Sequence, residues 1–414
     1  MYTNNTDWVK NQTIYEVNLR QYTDDGTISS FRTHLPRLKE MGFGILWFMP
    51  IHPIGEKNRK GELGSYYSVK DYFAVNPEFG TAEEFKSLVD EIHKMGMYVI
   101  IDWVANHTAC DNEMVSANPE WYTKNKNGDF QPPSGTDWSD VYDLDYTNLE
   151  LREYMIDAMK FWVKEYDIDG FRCDVAGMVP TDFWESAVEQ LSLIKSVFML
   201  AEWEEPELLQ QAFHADYNWS LYHILKDIAS SKKEVASIRD YYENPKKQYP
   251  NNALKMNFLD NHDENSWNRV MVKHFADKVY PLSAMLFTLP GIPMIYSGQE
   301  ARVEKKLKFF EKDTIQWNNF PDENFYKQLT KLRKEHSAFW SNNTTLEFLN
   351  GLPKDVVGFK RWDSKNTYYV ILNFSNQAQE IDSELLSEDY IVKDENSSSH
   401  LLASNGYFIF KTDN

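Results

Sequence analysis

Gly170-Phe171-Arg172-Cys173-Asp174 is a short, mostly apolar run that ends on a carboxylate. Two further segments have the same form: Phe198-Met199-Leu200-Ala201-Glu202 and Phe258-Leu259-Asp260-Asn261-His262-Asp263. Each reads as a buried parallel strand running out into a loop that carries an acid. A closed parallel barrel gathers such strand ends in one ring, where that fold builds its catalytic centre. Asp174 and Glu202 are 28 residues apart, one strand, helix, strand repeat, and Asp263 follows 61 residues later, two repeats on. The three acids are therefore expected in one active site.

Working outward, apolar runs alternate with helical patterns from Thr13 to Tyr296. Eight strands are predicted: Thr13 to Val17, Gly44 to Phe48, Tyr98 to Asp102, Gly170 to Asp174, Val197 to Glu202, Ala215 to Trp219, Leu254 to Leu259 and Gly291 to Tyr296. This alternation is the mark of an α/β chain, here a (β/α)8 TIM barrel. One helix is expected through Phe31, Leu35, Leu38 and Met41, stopping at Gly42. A second opens on the capping box Thr81-Ala82-Glu83-Glu84, buries Phe85, Leu88, Val89 and Ile92, and stops at Gly96. After the third strand, Thr108 to Tyr146 is rich in Asn, Asp, Pro, Gly and Trp and too long for an ordinary loop, so a small inserted domain is expected. Beyond Ser341 the pattern turns strand-like, at Val356 to Phe359, Thr367 to Phe374 and Gly406 to Lys411, with a loop at Glu395 to Ser399. The predicted organisation is a barrel over 1–107 and 147–340, an insertion over 108–146 and a β-sandwich-like domain over 341–414.

The chain has 63 acidic against 43 basic residues, a net charge of −20, which repels nucleic acid and anionic membranes and leaves a neutral substrate as the natural partner. Aromatics make up 15%, with 13 Trp and 24 Tyr, whose flat faces suit sugar rings, although most serve the core. Cys110 and Cys173 are the two cysteines, and Cys173 lies inside a predicted strand, so no disulfide framework is expected. Met1 to Lys10 is polar, and no stretch reaches the roughly 18 apolar residues of a membrane span, so a cytoplasmic protein is expected.

Paired carboxyls at strand ends fit cleavage of a glycosidic bond, in which one acid attacks the anomeric carbon and another protonates the departing oxygen. Arg172, two residues before Asp174, shares its strand face and is expected to keep it ionised. Glu202 has no basic neighbour in sequence, and Glu204 and Glu205 are expected to raise its proton affinity, as a general acid needs. His107 and His262 each follow an Asn, at Asn106-His107 and Asn261-His262, and read as donors to sugar hydroxyls. The same acids would also suit magnesium or manganese, while no His or Cys pair has zinc spacing.

These segments resemble the alpha-amylase family of glycoside hydrolases, family thirteen, over nearly the whole chain. Asp102-Trp103-Val104-Ala105-Asn106-His107, Gly170 to Asp174, Ala201-Glu202-Trp203 and Phe258 to Asp263 look like its four ordered motifs, and Gly291 to Glu300 like its eighth-strand segment. The resemblance implies Asp174 as nucleophile, Glu202 as acid and base, and Asp263 as the group that grips the distorted sugar. Arg172, His107, His262, Asn261 and Trp203 would assist, with Tyr67 as an aromatic platform and Asp102 as buttress. The inserted segment would be domain B and the C-terminal module domain C. Many members hold calcium partly through Lys-His three and four residues after the nucleophile; here these are Gly177 and Met178. No metal is expected to be required, and Asn106 remains the candidate ligand should Ca2+ bind. Val175 also occurs after the nucleophile in members that act on α-1,6 bonds. No N-terminal β domain precedes the barrel in this sequence, so a monomer is expected.

The leading expectation is a retaining hydrolase of α-1,4 bonds in starch-like polysaccharides or maltooligosaccharides. Its rivals are an α-1,6-acting glucosidase or transglycosylase with the same acids, a non-enzymatic amylase-like scaffold, and a metal-dependent barrel enzyme. Trp121 and Trp138 in the insertion are candidates for sugar platforms or for packing.

Overall fold

Ile45-Leu46-Trp47-Phe48 carries no charge, and all four side chains are buried. Such runs can only be covered on both faces, which a barrel ringed by helices provides. The computed structural model describes residues 6–386, 389–398 and 400–413. Eight strands, β1 (Ile14–Val17), β2 (Ile45–Phe48), β3 (Tyr98–Trp103), β4 (Gly170–Cys173), β5 (Phe198–Ala201), β6 (Ala215–Tyr217), β7 (Leu254–Asn257) and β8 (Ile292–Tyr296), form a closed parallel barrel in chain order, β8 pairing with β1. The register sets Asp102 on β3 against Arg172 on β4, and Arg172 against Leu200 on β5. It is this register that brings the acids of three strands to one depth.

Helix Ala82–Lys94 opens on the complete Thr81 and Glu84 capping box and turns into β3 at Gly96, φ +69°. The helix expected through Phe31 and Met41 is two helices, Ile28–Arg32 and Leu35–Glu40. Pro36 explains the break: it has no N–H for the Arg32 carbonyl, and its ring crowds that carbonyl. The strand expected over Leu254 to Leu259 stops at Asn257. Asn261 caps a short helix, His262–Trp267, by accepting from the Glu264 N–H at 2.8 Å, so Asp263 stands in a helical first turn rather than at a strand end.

Within the segment after β3, strands His107–Ala109 and Val141–Asp143 pair as an antiparallel hairpin whose connection holds the helical turns Met114–Ala117 and Pro119–Trp121. At the C-terminus, Glu347–Phe348, Val356–Trp362, Asn366–Asn373, Tyr407–Asp413 and Tyr390–Lys393 form a sheet in that spatial order. Gln379–Glu380 pairs with Leu401–Leu402, and Val356, Ile371, Ile381, Leu402, Phe408 and Phe410 form a small core of their own. The expected loop is a turn through Ser398, with Ser399 outside the described residues. Buried Arg361 on this sheet donates to the Thr288 carbonyl at 2.6 Å, fastening the module to the barrel. Among the described residues no helix is long and apolar enough to cross a membrane, and Cys110 and Cys173 are buried free thiols.

One glycine shows how tightly the barrel is closed at the strand ends away from Asp174. A Cβ at Gly170, the first residue of β4, would lie 2.0 Å from the Phe198 carbonyl oxygen on β5, whereas one at Gly128 in the insertion meets nothing within 4 Å. Gly170→Ala is therefore expected to lower unfolding free energy by about 3 kcal/mol or more, at the upper end of overpacking costs. Gly128→Ala, strained only through its φ of +88°, is expected to lose about 1 kcal/mol. Urea denaturation of both variants checks the contrast.

Candidate active site

Arg172 is fully buried, and its guanidinium faces three carboxylates. Nη1 donates to Asp102 Oδ1 at 2.8 Å and to Asp174 Oδ1 at 2.9 Å. Nη2 lies 2.9 Å from Glu202 Oε1, off the hydrogen-bond line, so that contact is Coulombic. Nε donates to the Tyr217 hydroxyl at 3.1 Å, and the rings of Trp47, Tyr67 and Tyr217 surround the cation at 5.2 to 5.7 Å. Asp102 in turn accepts from Trp47 and from the Tyr67 hydroxyl at 3.1 Å. Arg172 stands beside Asp174 as expected, and Glu202, without a basic neighbour in sequence, meets the same cation in space. Glu204 and Glu205 turn away, to Ser220 and Lys255 and to Lys247.

Glu202 Oε2 also accepts the Val175 N–H at 2.8 Å. Val175 holds φ +37°, an outlier for a β-branched residue, and this turn is what aims its N–H at Glu202. Burial, then the Glu202 charge, push the Asp174 carboxyl well above the usual range against the pull of Arg172. Burial likewise lifts Asp102 to about 6 and raises Glu16.

His262 links the two sides of the site. Its Nδ1 pairs with buried Glu16 of β1 at 2.5 Å, and its Nε2 lies 2.8 Å from the Tyr67 hydroxyl and 3.4 Å from Asp263 Oδ2. Burial opposes its charge, yet Asp263 and Glu16 prevail and hold its pKa at about 9. His107 is the opposite case: burial alone dominates, and it falls to about 4. At neutral pH the first is an imidazolium and the second a neutral imidazole.

A cavity of about 450 Å3 opens above these groups, lined among others by Tyr67, His107, Asp174, Glu202, His262 and Asp263. Asp102 and Arg172 lie beneath these groups, fully buried. Asn261 and Trp203, expected against the sugar, are placed elsewhere: Asn261 is the buried helix cap, and the Trp203 ring covers Gly177, where a Cβ would come within 2.2 Å of it. Trp138 lines the cavity beside His107, while Trp121 is buried against Tyr154 and packs the insertion. Sequence reading missed Lys60, Trp267, Phe309 and Phe310 at the rim and Glu16 beneath. The charge in the β1 run Ile14-Tyr15-Glu16-Val17 was the available signal for the last.

The donors around Asn106 do not fit a calcium ion. Its side-chain nitrogen faces His107 Nδ1 at 3.4 Å, its carbonyl accepts from Leu144 at 3.1 Å, and no three His, Cys, Asp or Glu side chains converge as a metal site among the described residues.

His262 yields a pH prediction. Its pKa is raised on folding from 6.5 to about 9, so its stabilisation is complete below pH 6.5 and disappears as pH rises through 9. Over that interval the wild type is expected to lose about 3 kcal/mol relative to His262→Gln. Denaturation curves of the two proteins at each pH measure the difference.

The description "Alpha amylase, catalytic domain" matches residues 3–348. Among solved structures, an alpha-amylase from Lactobacillus plantarum superposes with a TM-score of 0.87 at 30% identity, covering 98% of this chain and 99% of that one. A noncanonic maltogenic alpha-amylase, AmyB of Thermotoga neapolitana, gives 0.83 at 32% identity, covering 98% and 97%. Among curated relatives, the intracellular maltogenic amylase of Bacillus subtilis is 28% identical over 399 residues, 88% of this chain and 64% of the relative. Alpha-amylase MalA of Haloarcula japonica is 24% identical over 390 residues, 89% and 56%. The chain thus spans 56 to 64% of the length of these two curated relatives. By the family match, the two solved structures and the shared barrel, the chain belongs to the alpha-amylase catalytic-domain family.

Proposed function

We propose that the chain is a retaining α-glucan hydrolase that cleaves α-1,4-glucosidic bonds of starch-like polysaccharides or maltooligosaccharides by double displacement. The observation that carries this reading is the single buried guanidinium that sets Asp174 and Glu202 side by side under a cavity with aromatic walls. In the first step the Asp174 carboxylate attacks the anomeric carbon while Glu202 gives its proton to the glycosidic oxygen, and the leaving sugar departs. In the second, the Glu202 carboxylate takes a proton from water, whose oxygen attacks the same carbon and frees Asp174. Neutral substrate enters without adding charge to an acid-rich site. The His262 imidazolium beside Asp263 supplies a donor for a sugar hydroxyl, and neutral His107 supplies another on the opposite wall. Positive charge on the reacting ring is met by Asp174 and Asp263, both of which line the cavity. The chemistry needs only side chains of this chain.

Two variants test the roles. Asp174→Asn is expected to lose maltoheptaose turnover by about 10³-fold or more, since an amide cannot form the ester. Glu202→Gln is expected to lose about 10²- to 10⁴-fold on the same substrate. Its first-turnover burst of fluoride from α-glucosyl fluoride, which reports the first step alone and whose leaving group needs no proton, should stay within about tenfold of the wild type. A burst slowed as much as maltoheptaose turnover would remove Glu202 from the acid role.

A further inference from the structure

We propose that the site works from the non-reducing end of its substrate, releasing pieces of one or two glucosyl units, because a rigid strap closes the cavity on the side where the retained sugars lie. This rests on the hydrolase reading above and narrows its substrate and mode of attack.

The strap is the loop from Glu56 to Ser65 after β2, and it is stitched at both flanks. Toward the insertion, Lys60 pairs with buried Asp140 at 3.0 Å, Asn58 donates to the Ser139 carbonyl at 3.2 Å, and the Glu56 N–H donates to Asp111 at 3.0 Å. Toward the loop after β8, the Leu63 N–H donates to the Phe310 carbonyl at 2.9 Å and the Glu62 N–H to Glu311 at 3.1 Å. Buried Arg20 locks the junction from below, donating to the carbonyls of Gly64 at 2.9 Å and Phe309 at 3.4 Å while paired with Glu78. Gly61, φ +63°, lies so close to Phe310 that a Cβ would meet its side chain at 2.5 Å. A loop held this way is a wall and not a moving lid.

The strap therefore joins the insertion, Lys60 and Phe309–Phe310 into one continuous barrier around the β8, β2 and β3 side of the cavity. The other side differs: among the described residues, none between Glu202 and His262 lines it. An acid catalyst must stand beside the oxygen it protonates, so the departing sugar lies on the Glu202 side. The sugar bonded to Asp174, and whatever extends from its non-reducing end, must then point toward the strap. A space of about 450 Å3, walled on the strap side, belongs with pockets for small molecules, ~300–1,000 Å3, rather than with a through-going groove for a polymer. A starch chain would present its end here and could not thread across.

The experiment uses maltoheptaose labelled at its reducing end with 2-aminobenzamide, and the same molecule capped at its non-reducing glucose with a 4,6-ethylidene acetal. The wild type is expected to shorten the uncapped chain in uniform steps of glucose or maltose and to turn over the capped one at least about 100-fold more slowly. Lys60→Met combined with Asp140→Asn removes the tie without leaving a lone buried charge. It is expected to raise the capped-to-uncapped rate ratio about tenfold. Both rates come from one preparation, so partial unfolding cancels in the ratio. Equal cleavage of both substrates by the wild type, with labelled fragments of mixed length, would overturn end-directed attack while leaving the hydrolase reading intact. An unchanged ratio in the double variant would overturn the strap as its cause. No cleavage of either substrate would sink the hydrolase reading, and this proposal with it.

Discussion

A guanidinium with no exposed surface must be neutralised where it stands, because a lone buried cation costs several kcal/mol. Arg172 meets that constraint with Asp102, Asp174 and Glu202, which come from β3, β4 and the end of β5. The barrel register makes the arrangement possible, since Asp102 and Arg172 are partners across neighbouring strands. The site then follows from electrostatics. Burial and mutual repulsion lift Asp174, Asp102 and Glu16, while the surplus of carboxylates makes an imidazolium of His262.

Much of this was legible in the chain because it rests on short-range pattern. The barrel strands were readable as short runs between turn residues, and the Thr81 capping box announced its helix; β6, Ala215-Asp216-Tyr217, carries a charge and stops two residues short of the expected Trp219, which opens the next helix. Asp174 and Glu202 were readable as acids that end such runs. What escaped depends on distance in sequence or on local competition. Glu16 meets His262 from 246 residues away, and Glu202 finds Arg172 only once β4 and β5 pair. Asn261 had the composition of a sugar contact, but its side chain was taken by the nearer backbone N–H of Glu264, the ordinary use of Asn ahead of a helix. Trp203 was drawn over the bare backbone of Gly177, the position that lacks the family's usual lysine. Pro36 split a helix whose apolar spacing ran unbroken through it.

The division between frame and loops carries the functional argument further. Barrel strands fix the reacting groups to one geometry, and the connections after β2, β3 and β8 decide which molecules reach them. Here these connections are bonded to each other as firmly as to the barrel, through Lys60, Asn58, Leu63 and Arg20. Family membership predicts the chemistry of the acids, whereas the barrier is argued from the loop contacts of this chain.

The central claim is that Asp174, held by Arg172, forms a covalent glycosyl ester. The most direct measurement is mass spectrometry of peptides after reaction with 5-fluoro-α-glucosyl fluoride, a reagent that forms the ester quickly and hydrolyses slowly. The account predicts one added fluoroglucosyl group, located on the peptide containing Asp174. A label on Glu202, or turnover with an inverted product anomer and no label, would contradict it.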